Sequence, residues 1–388
     1  MNTKIKTQIL LVILITTVVS ACTINDPDQG TSTTLSSPPP SASDPVLIPI
    51  EPTLNVLPTA TTSGTPTPTA APVSPQEAPV HLIPLEGALS SPKAEVSGMT
   101  WYGDLLLILP QYPEKYLSPS GSPSLFALTR SEINDFLDGS SSDPLEPRLI
   151  PIGGTQGTSQ IPGYEGFEAI ATDGESVYLS IEANDRGAMH GYLIRGLIAV
   201  DGSAIDLDPG SLTEIPTPVQ IFNAAYETLI ASGDQILVLF EANGQDLNPG
   251  PSVLQYDSHN SSFAELDFDN IEYRITDSTA LDVDDKLWVL NVFMPIEFWY
   301  YTNSDPISEK YGIGNTHSIN NHVERLLELK YNEGQITLSG EPPLYLELID
   351  DTNSRNWEAI VRLDERGFLA MTDTYPGTIL GFIPFPGK

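Results

Sequence analysis

From residue 80 onward, short apolar segments alternate with polar turns along the chain. The apolar segments are about five to eight residues long, rich in β-branched side chains, and bounded by Gly, Asp, Asn and Pro. Residues 131–137 have the spacing of a short helix. The pattern therefore predicts an all-β domain over residues 80–388.

The apolar segments recur in a repeated unit, in which an Asp/Gly turn joins two short strands. The five copies are 97–101 with 105–109, 168–171 with 177–181, 227–230 with 236–240, 279–282 with 287–290, and 358–361 with 368–371. One or two further strands follow each pair, and radial repetition of four-stranded sheets is typical of a β-propeller. We expect five blades, with six as an alternative, and a pair of β-sandwich sheets as the competing fold. The last unit lacks an outer strand, which residues 80–84 are predicted to supply.

The N-terminus has the features of a secretory signal. Lys4 and Lys6 precede an apolar segment over residues 9–19, and Ser20 and Ala21 stand directly before Cys22. The apolar segment is too short for a transmembrane helix. This arrangement resembles the lipobox of bacterial lipoproteins, which implies cleavage after residue 21 and a lipid such as palmitate on Cys22. The alternative is an ordinary signal peptide with an incidental cysteine.

The segment between Cys22 and the predicted propeller is rich in Pro, Ser and Thr. Such a composition cannot bury a core and favours an extended, disordered chain. The sequence thus predicts a signal peptide over 1–21, a lipidated, disordered tether over 22–79, and a propeller over 80–388. The protein would be lipid-anchored to the cell membrane and would face the extracytoplasmic side.

The chain is strongly acidic: 51 Asp and Glu residues against 17 Lys and Arg give a net charge of -34. Such a surface repels nucleic acid, which we therefore exclude as a partner. The charge suits a cation or a cationic partner, or serves solubility alone.

Acidic residues recur at equivalent positions of the predicted blades. In a propeller, the start of each first strand and the end of each second strand lie on one face of the central channel. Eight carboxylates fall at or near these positions: Glu95, Glu168, Glu182, Glu227, Glu241, Asp277, Glu358 and Asp373. Oxygen ligands in such number suit Ca²⁺, so the sequence predicts a cation site. Alternatively, the acids accept backbone hydrogen bonds and hold neighbouring blades together.

The blade openings Glu168-Ala169-Ile170-Ala171 and Glu358-Ala359-Ile360 are those of a known type of secreted propeller, and residues 95–99 match in the first blade. In these motifs the chain resembles bacterial phytase-like propellers, including the family called esterase-like activity of phytase. The resemblance implies an acidic, calcium-binding mouth and phosphoester hydrolysis. Phytases gather many basic residues around phosphate, whereas this chain offers at most Lys93, Arg186, Arg274 and Arg355 on that face.

One long predicted loop contains four consecutive aromatic residues: Phe298, Trp299, Tyr300 and Tyr301. Exposed aromatic side chains beside a polar mouth contact glycan or peptide ligands; alternatively, they pack the loop onto the domain. The sequence contains no Gly-x-Ser-x-Gly, P-loop or His-Glu-x-x-His motif.

The sequence alone favours a membrane-anchored binding module with a cation at its acidic mouth and a possible glycan or protein ligand. One alternative is a metal-dependent phosphoesterase or esterase with Glu168, Glu227 and Glu358 as metal ligands. The other is a structural surface scaffold.

Overall fold

The computed structural model describes residues 75–297, 304–332, 334–350 and 354–386, which belong to one compact unit. Cys22, the tether up to residue 74 and the aromatic residues Phe298, Trp299, Tyr300 and Tyr301 lie outside these ranges. What the sequence predicts for them stays a prediction. No helix within the described ranges is long and apolar enough to cross a membrane.

Nearly all regular structure is β. Two short strands, β1 (Gln76–Ala78) and β2 (His81–Ile83), begin the described chain. The first blade contains β3 (Val96–Tyr102), β4 (Leu105–Pro110), β5 (Ser124–Thr129) and β6 (Arg148–Gly153). The second contains β7 (Tyr164–Asp173), β8 (Ser176–Asp185), β9 (Ala188–Ile198), β10 (Ile205–Leu207) and β11 (Thr213–Ile215).

The other three blades follow in chain order. The third contains β12 (Thr228–Ser232), β13 (Gln235–Leu239), β14 (Ser252–Asp257) and β15 (Ser262–Phe268). The fourth contains β16 (Arg274–Ser278), β17 (Lys286–Phe293), β18 (Val323–Asn332), β19 (Gln335–Leu338) and β20 (Leu344–Leu346). The fifth contains β21 (Trp357–Leu363), β22 (Gly367–Thr372) and β23 (Leu380–Pro384).

The first strands of the blades form a closed ring. Strands β3, β7, β12, β16 and β21 contact one another in that order, and β21 contacts β3. Apolar side chains pack between each pair of neighbouring blades and build five separate cores. The predicted all-β fold with five propeller blades is confirmed, because a β-sandwich has no such ring.

The first two strands of the described chain add edge strands to two blades near its C-terminal end. β2 pairs antiparallel with β23, and Ile83 lies opposite Leu380, so residues 80–84 supply the missing strand as predicted. β1 pairs in parallel with β20 of the fourth blade. The propeller therefore includes residues from Gln76 onward, and the predicted start at residue 80 is corrected. The segment Gln76–Ala78 was missed because it is short and mostly polar.

Within the described ranges, two short α-helices lie between strands of the sheets. α1 (Arg130–Leu137) confirms the predicted helix, and Thr129 begins it with a capping box to Glu132. α2 (Pro306–Tyr311) was not predicted; it begins after Asp305, whose side chain accepts the Ile307 N–H. Five 3₁₀ turns are described: Gly87–Ser90, Pro113–Lys115, Thr155–Gln160, Pro209–Ser211 and Pro295–Glu297.

Candidate functional site

A polar cavity of about 310 Å³ opens where the first strands of the blades begin. Residues at or just before the start of first strands, and at the end of second strands, line it. Seven of the eight predicted acids are brought together there: Glu95, Glu168, Glu182, Glu227, Glu241, Glu358 and Asp373. The prediction that these positions converge at one mouth of the channel therefore matches the geometry.

β-Bulges place two of the acids in the cavity. The pairing register shifts between Phe167 and Ala169 in the second blade, and between Trp357 and Ala359 in the fifth. Glu168 and Glu358 are the extra residues at these bulges. A bulge changes the direction of one side chain without ending the strand, which lets both carboxyl groups reach the channel.

Asp277 does not line the cavity, and the prediction for it is corrected. In the fourth blade the register shifts between Ile275 and Asp277, so Thr276, not Asp277, occupies the bulged position. The buried Asp277 carboxyl accepts the Ile360 N–H at 2.7 Å instead. Asp277 thus joins the fourth blade to the fifth, which is the alternative role that the sequence left open for these acids.

Arg274, the first residue of β16, provides a positive charge among the acids, a role that the sequence analysis missed. Its Nη1 lies 3.8 Å from Glu227 Oε2, 3.5 Å from Glu241 Oε2 and 3.3 Å from Glu358 Oε1. Its Nε lies 2.8 Å from Glu297 Oε1. Its position at a first-strand start was the only signal for this role. The guanidinium offsets part of the repulsion that led us to expect a bound cation.

Of the four basic residues predicted near this face, only Arg274 lines the cavity. Arg355 is buried beside Glu324, with its Nη2 2.8 Å from Glu324 Oε2. The Arg186 side chain is 92% exposed, and Lys93 is also exposed. The mouth is therefore even more acidic than the sequence suggested.

Burial favours the protonated form of the innermost carboxyl groups. It raises the pKa of Glu182 to about 8, with the charge of Glu241 adding to the effect. Burial likewise raises the pKa of Glu358 to about 8, against the opposing charge of Arg274. The pKa values of Glu168 and Glu227 are also raised, mainly by burial. Protons therefore neutralise part of this cluster at neutral pH.

Three residues that line the cavity carry a buried carboxyl oxygen that accepts no hydrogen bond from the described residues: Glu182 Oε1, Glu227 Oε2 and Glu241 Oε2. The Glu227 and Glu241 oxygens face Arg274, whereas Glu182 Oε1 has neither a hydrogen bond nor an ion pair within the described part of the chain. By contrast, Glu168 Oε1 accepts a hydrogen bond of 2.8 Å from Gln111 Nε2. A buried oxygen without a partner is costly, so Glu182 marks where a ligand would contribute most.

The rim of the cavity differs from its interior. The Glu95 carboxylate pairs with Lys115, and Asp373 Oδ1 accepts the Tyr375 N–H at 2.8 Å. Phe222 also lines the cavity, and 65% of it is exposed. Phe222 was not predicted, because it lies in a loop with no repeat equivalent.

The donor set suits a hard cation in type but does not form a preassembled metal centre. Within the described ranges, no group of three or more His, Cys, Asp or Glu side chains has an arrangement that could hold a metal ion. Carboxylate oxygens are nevertheless the ligands that Ca²⁺ prefers, and Glu182 Oε1 has no other partner among the described residues. The calcium site stays a prediction.

No protein-family model matches the chain, and no curated protein sequence matches it. Solved structures with a similar fold include a putative glycoside hydrolase from Parabacteroides distasonis, at 10% identity and a TM-score of 0.40, covering 82% of this chain and 95% of that one. The catalytic domain of the Coprinopsis cinerea GH62 alpha-L-arabinofuranosidase matches at 9% identity and a TM-score of 0.42, covering 80% and 97%. Similarities this weak say nothing about the activity of this chain.

Proposed function

We propose that this propeller is a binding module whose acidic cavity takes a cation. The supporting observation is Glu182 Oε1, a buried carboxyl oxygen of a cavity-lining residue that has no partner among the described residues. Eight carboxyl groups, the seven predicted ones and Glu297, line the same cavity with one arginine, so the interior has acceptor oxygens in excess. A cation would satisfy these oxygens and relieve the repulsion between them.

Cation binding at this site would compete with protons. Glu182 and Glu358 hold protons near neutral pH, because burial raises the pKa of each to about 8. A cation binds the ionised carboxylates, so these protons must leave when it enters. Affinity should therefore rise with pH until the carboxyl groups are ionised.

Calcium titration of the full chain tests the proposal. We expect saturable Ca²⁺ binding that tightens about a hundredfold between roughly pH 6 and pH 8.5, because about one proton leaves a group of pKa about 8. Glu182→Gln should weaken binding about tenfold or more, because the amide supplies no charge and a poorer ligand. The matched control is Glu175→Gln, which makes the same charge change at the exposed turn of the β7–β8 hairpin that carries Glu182. Absence of binding, or equal losses in the two variants, would contradict the proposal.

A second candidate is a hydrolase, favoured by the proton-holding carboxyl groups. A neutral Glu182 or Glu358 could donate a proton while a carboxylate held by Arg274 acts as base. An anionic phosphoester would meet eight acids and one arginine, so an uncharged glycoside or carboxylester suits this mouth better than the phytase-like substrates. Turnover that disappears in both Glu182→Gln and Glu358→Gln would establish this activity. A surface scaffold would show neither binding nor turnover.

We also propose that Cys22 carries the lipid anchor, since it follows the signal segment directly and is the one cysteine in the chain. Cys22→Ser should abolish metabolic labelling with palmitate and release the protein from the membrane fraction. Retained labelling would show that a different residue is lipidated.

A further inference from the structure

A second cavity, of about 280 Å³, lies at the opposite end of the propeller channel. Its lining comes from the ends of the five innermost strands and the residues just after them. Small side chains occupy many of these positions: Thr100, Ala171, Thr172, Ala231, Ser278 and Ala280. Protein interiors are normally packed to high density, so this choice of residues keeps open a space that larger side chains could fill.

The wall of this cavity is held in place around Trp101. The Trp101 Nε1–H donates to the Arg362 carbonyl oxygen at 2.9 Å, and the Trp101 carbonyl accepts from Thr172 Oγ1 at 2.9 Å. The Arg130 guanidinium lies 3.8 Å from the centre of the indole ring, and Asp364 holds Arg130 at 2.7 Å. Trp101 therefore cannot turn inward to fill the space, and the cavity keeps its shape when empty.

One residue in the wall of this space carries a buried hydroxyl group without a partner among the described residues. Ser278 is 6% exposed and lines the cavity, and its Oγ makes no hydrogen bond to any described residue. A buried hydroxyl without a partner destabilises the folded state. An occupant that brings one hydrogen-bonding atom to Ser278 would remove that cost.

The charge at this end differs from that at the acidic mouth. Arg130 and Arg362 are balanced by Asp364 and Asp282, to which they are paired. The rest of the lining is mainly apolar, with Met99, Ile170, Leu229, Ile230, Leu281 and Val361. A lining of this composition favours an uncharged, largely apolar ligand.

We propose that this cavity is a second binding site, for a small uncharged molecule with an apolar ring and one hydroxyl group. The ring would lie beside Trp101 and the apolar wall, and the hydroxyl would hydrogen-bond to Ser278 Oγ. The site is independent of the acidic mouth and of any cation bound there.

Paired titrations of the full chain with p-cresol and toluene test this site. These probes share one ring and differ by one hydroxyl. Ligand-detected NMR would measure the binding. We expect saturable p-cresol binding with a Kd of about 1 mM or tighter. Ser278→Ala should weaken p-cresol about three- to tenfold and leave toluene unchanged. Ala231→Phe should abolish binding of both probes by filling the cavity.

Glu182→Gln, at the acidic mouth, is the control and should leave both probes unaffected. A thermal melt would verify that Ala231→Phe is folded. If that variant does not fold, Ser278→Ala still tests the site, because it removes only a hydroxyl oxygen. Absence of saturable p-cresol binding would show that the space holds water only and would overturn the proposal. The proposal would also be overturned if Ser278→Ala left the difference between the two probes unchanged.

Discussion

Arg274→Met should destabilise the folded chain by about 3–5 kcal/mol at pH 8 or above and by clearly less near pH 5. The guanidinium is 12% exposed and lies within 4 Å of Glu227, Glu241, Glu297 and Glu358. Without it, buried carboxylates face one another with no counter-charge. At low pH protons neutralise them, and the loss shrinks.

The sign of the pH dependence follows from the raised pKa values. The pKa of Glu358 is about 8 in the folded chain, against about 4.3 for an unperturbed glutamate. Such a carboxyl group stabilises the folded state fully at pH values below its pKa in the unfolded chain. This contribution is lost as the pH rises through its pKa in the folded chain. Arg274 lowers the pKa of both Glu358 and Glu241, so the variant should lose stability more steeply and over a wider range of pH.

Denaturant unfolding at the two pH values measures this difference. Arg186→Met is the control, because the Arg186 side chain is 92% exposed. This variant loses only one ion pair, in which Arg186 Nε lies 3.4 Å from Asp185 Oδ1. It should change stability little at either pH. An equal loss for Arg274→Met at both pH values would mean that the carboxyl groups do not depend on its charge.

Arg325→Met should cost about 3–5 kcal/mol of unfolding free energy, because it leaves a buried carboxylate unpaired. Arg325 is fully buried; its Nη1 donates to Asp305 Oδ2 at 2.6 Å and its Nε donates to Asn291 Oδ1 at 2.7 Å. Burial alone would raise the pKa of Asp305, but the charge and hydrogen bonds of Arg325 hold it below its usual value. Without Arg325, burial would raise the pKa of Asp305, so the variant leaves this carboxyl group either charged and unpaired or protonated, and the folded state loses stability in both cases.

A double-mutant cycle isolates the ion pair. The double variant Asp305→Asn with Arg325→Met should lose less stability than the sum of the single variants, because no buried charge remains. Purely additive losses would show that Arg325 acts through packing alone. Asp305 also begins helix α2, so the cycle measures how strongly Arg325 of β18 holds this helix against the fourth blade.

Local sequence patterns predict the blades because each blade is built mostly from neighbouring segments. Paired apolar strands around a tight turn, as in Val177 opposite Thr172, repeat with enough regularity to indicate radial symmetry. The capped helix α1 follows from the same local signals, whereas the closing strand β2 follows from the missing outer strand of the last unit. The convergence of the acids then follows from the propeller geometry.

Residues whose roles depend on register or on distant partners could not be predicted. A bulge adds one residue without changing composition, so the sequence does not show that Thr276, not Asp277, holds the bulged position. β1 pairs with β20 across more than half the chain, and nothing in its polar sequence indicates this. The role of Arg274 depends on four acids from separate segments.

Proton release on Ca²⁺ binding tests the central claim most directly. Calorimetric titrations of the full chain in two buffers with different ionisation enthalpies give the number of protons released. The account predicts release of about one proton or more per Ca²⁺ near pH 7 and almost none above about pH 9. Binding without proton release near pH 7, or no binding at either pH, would contradict a cation site built from protonated carboxyl groups.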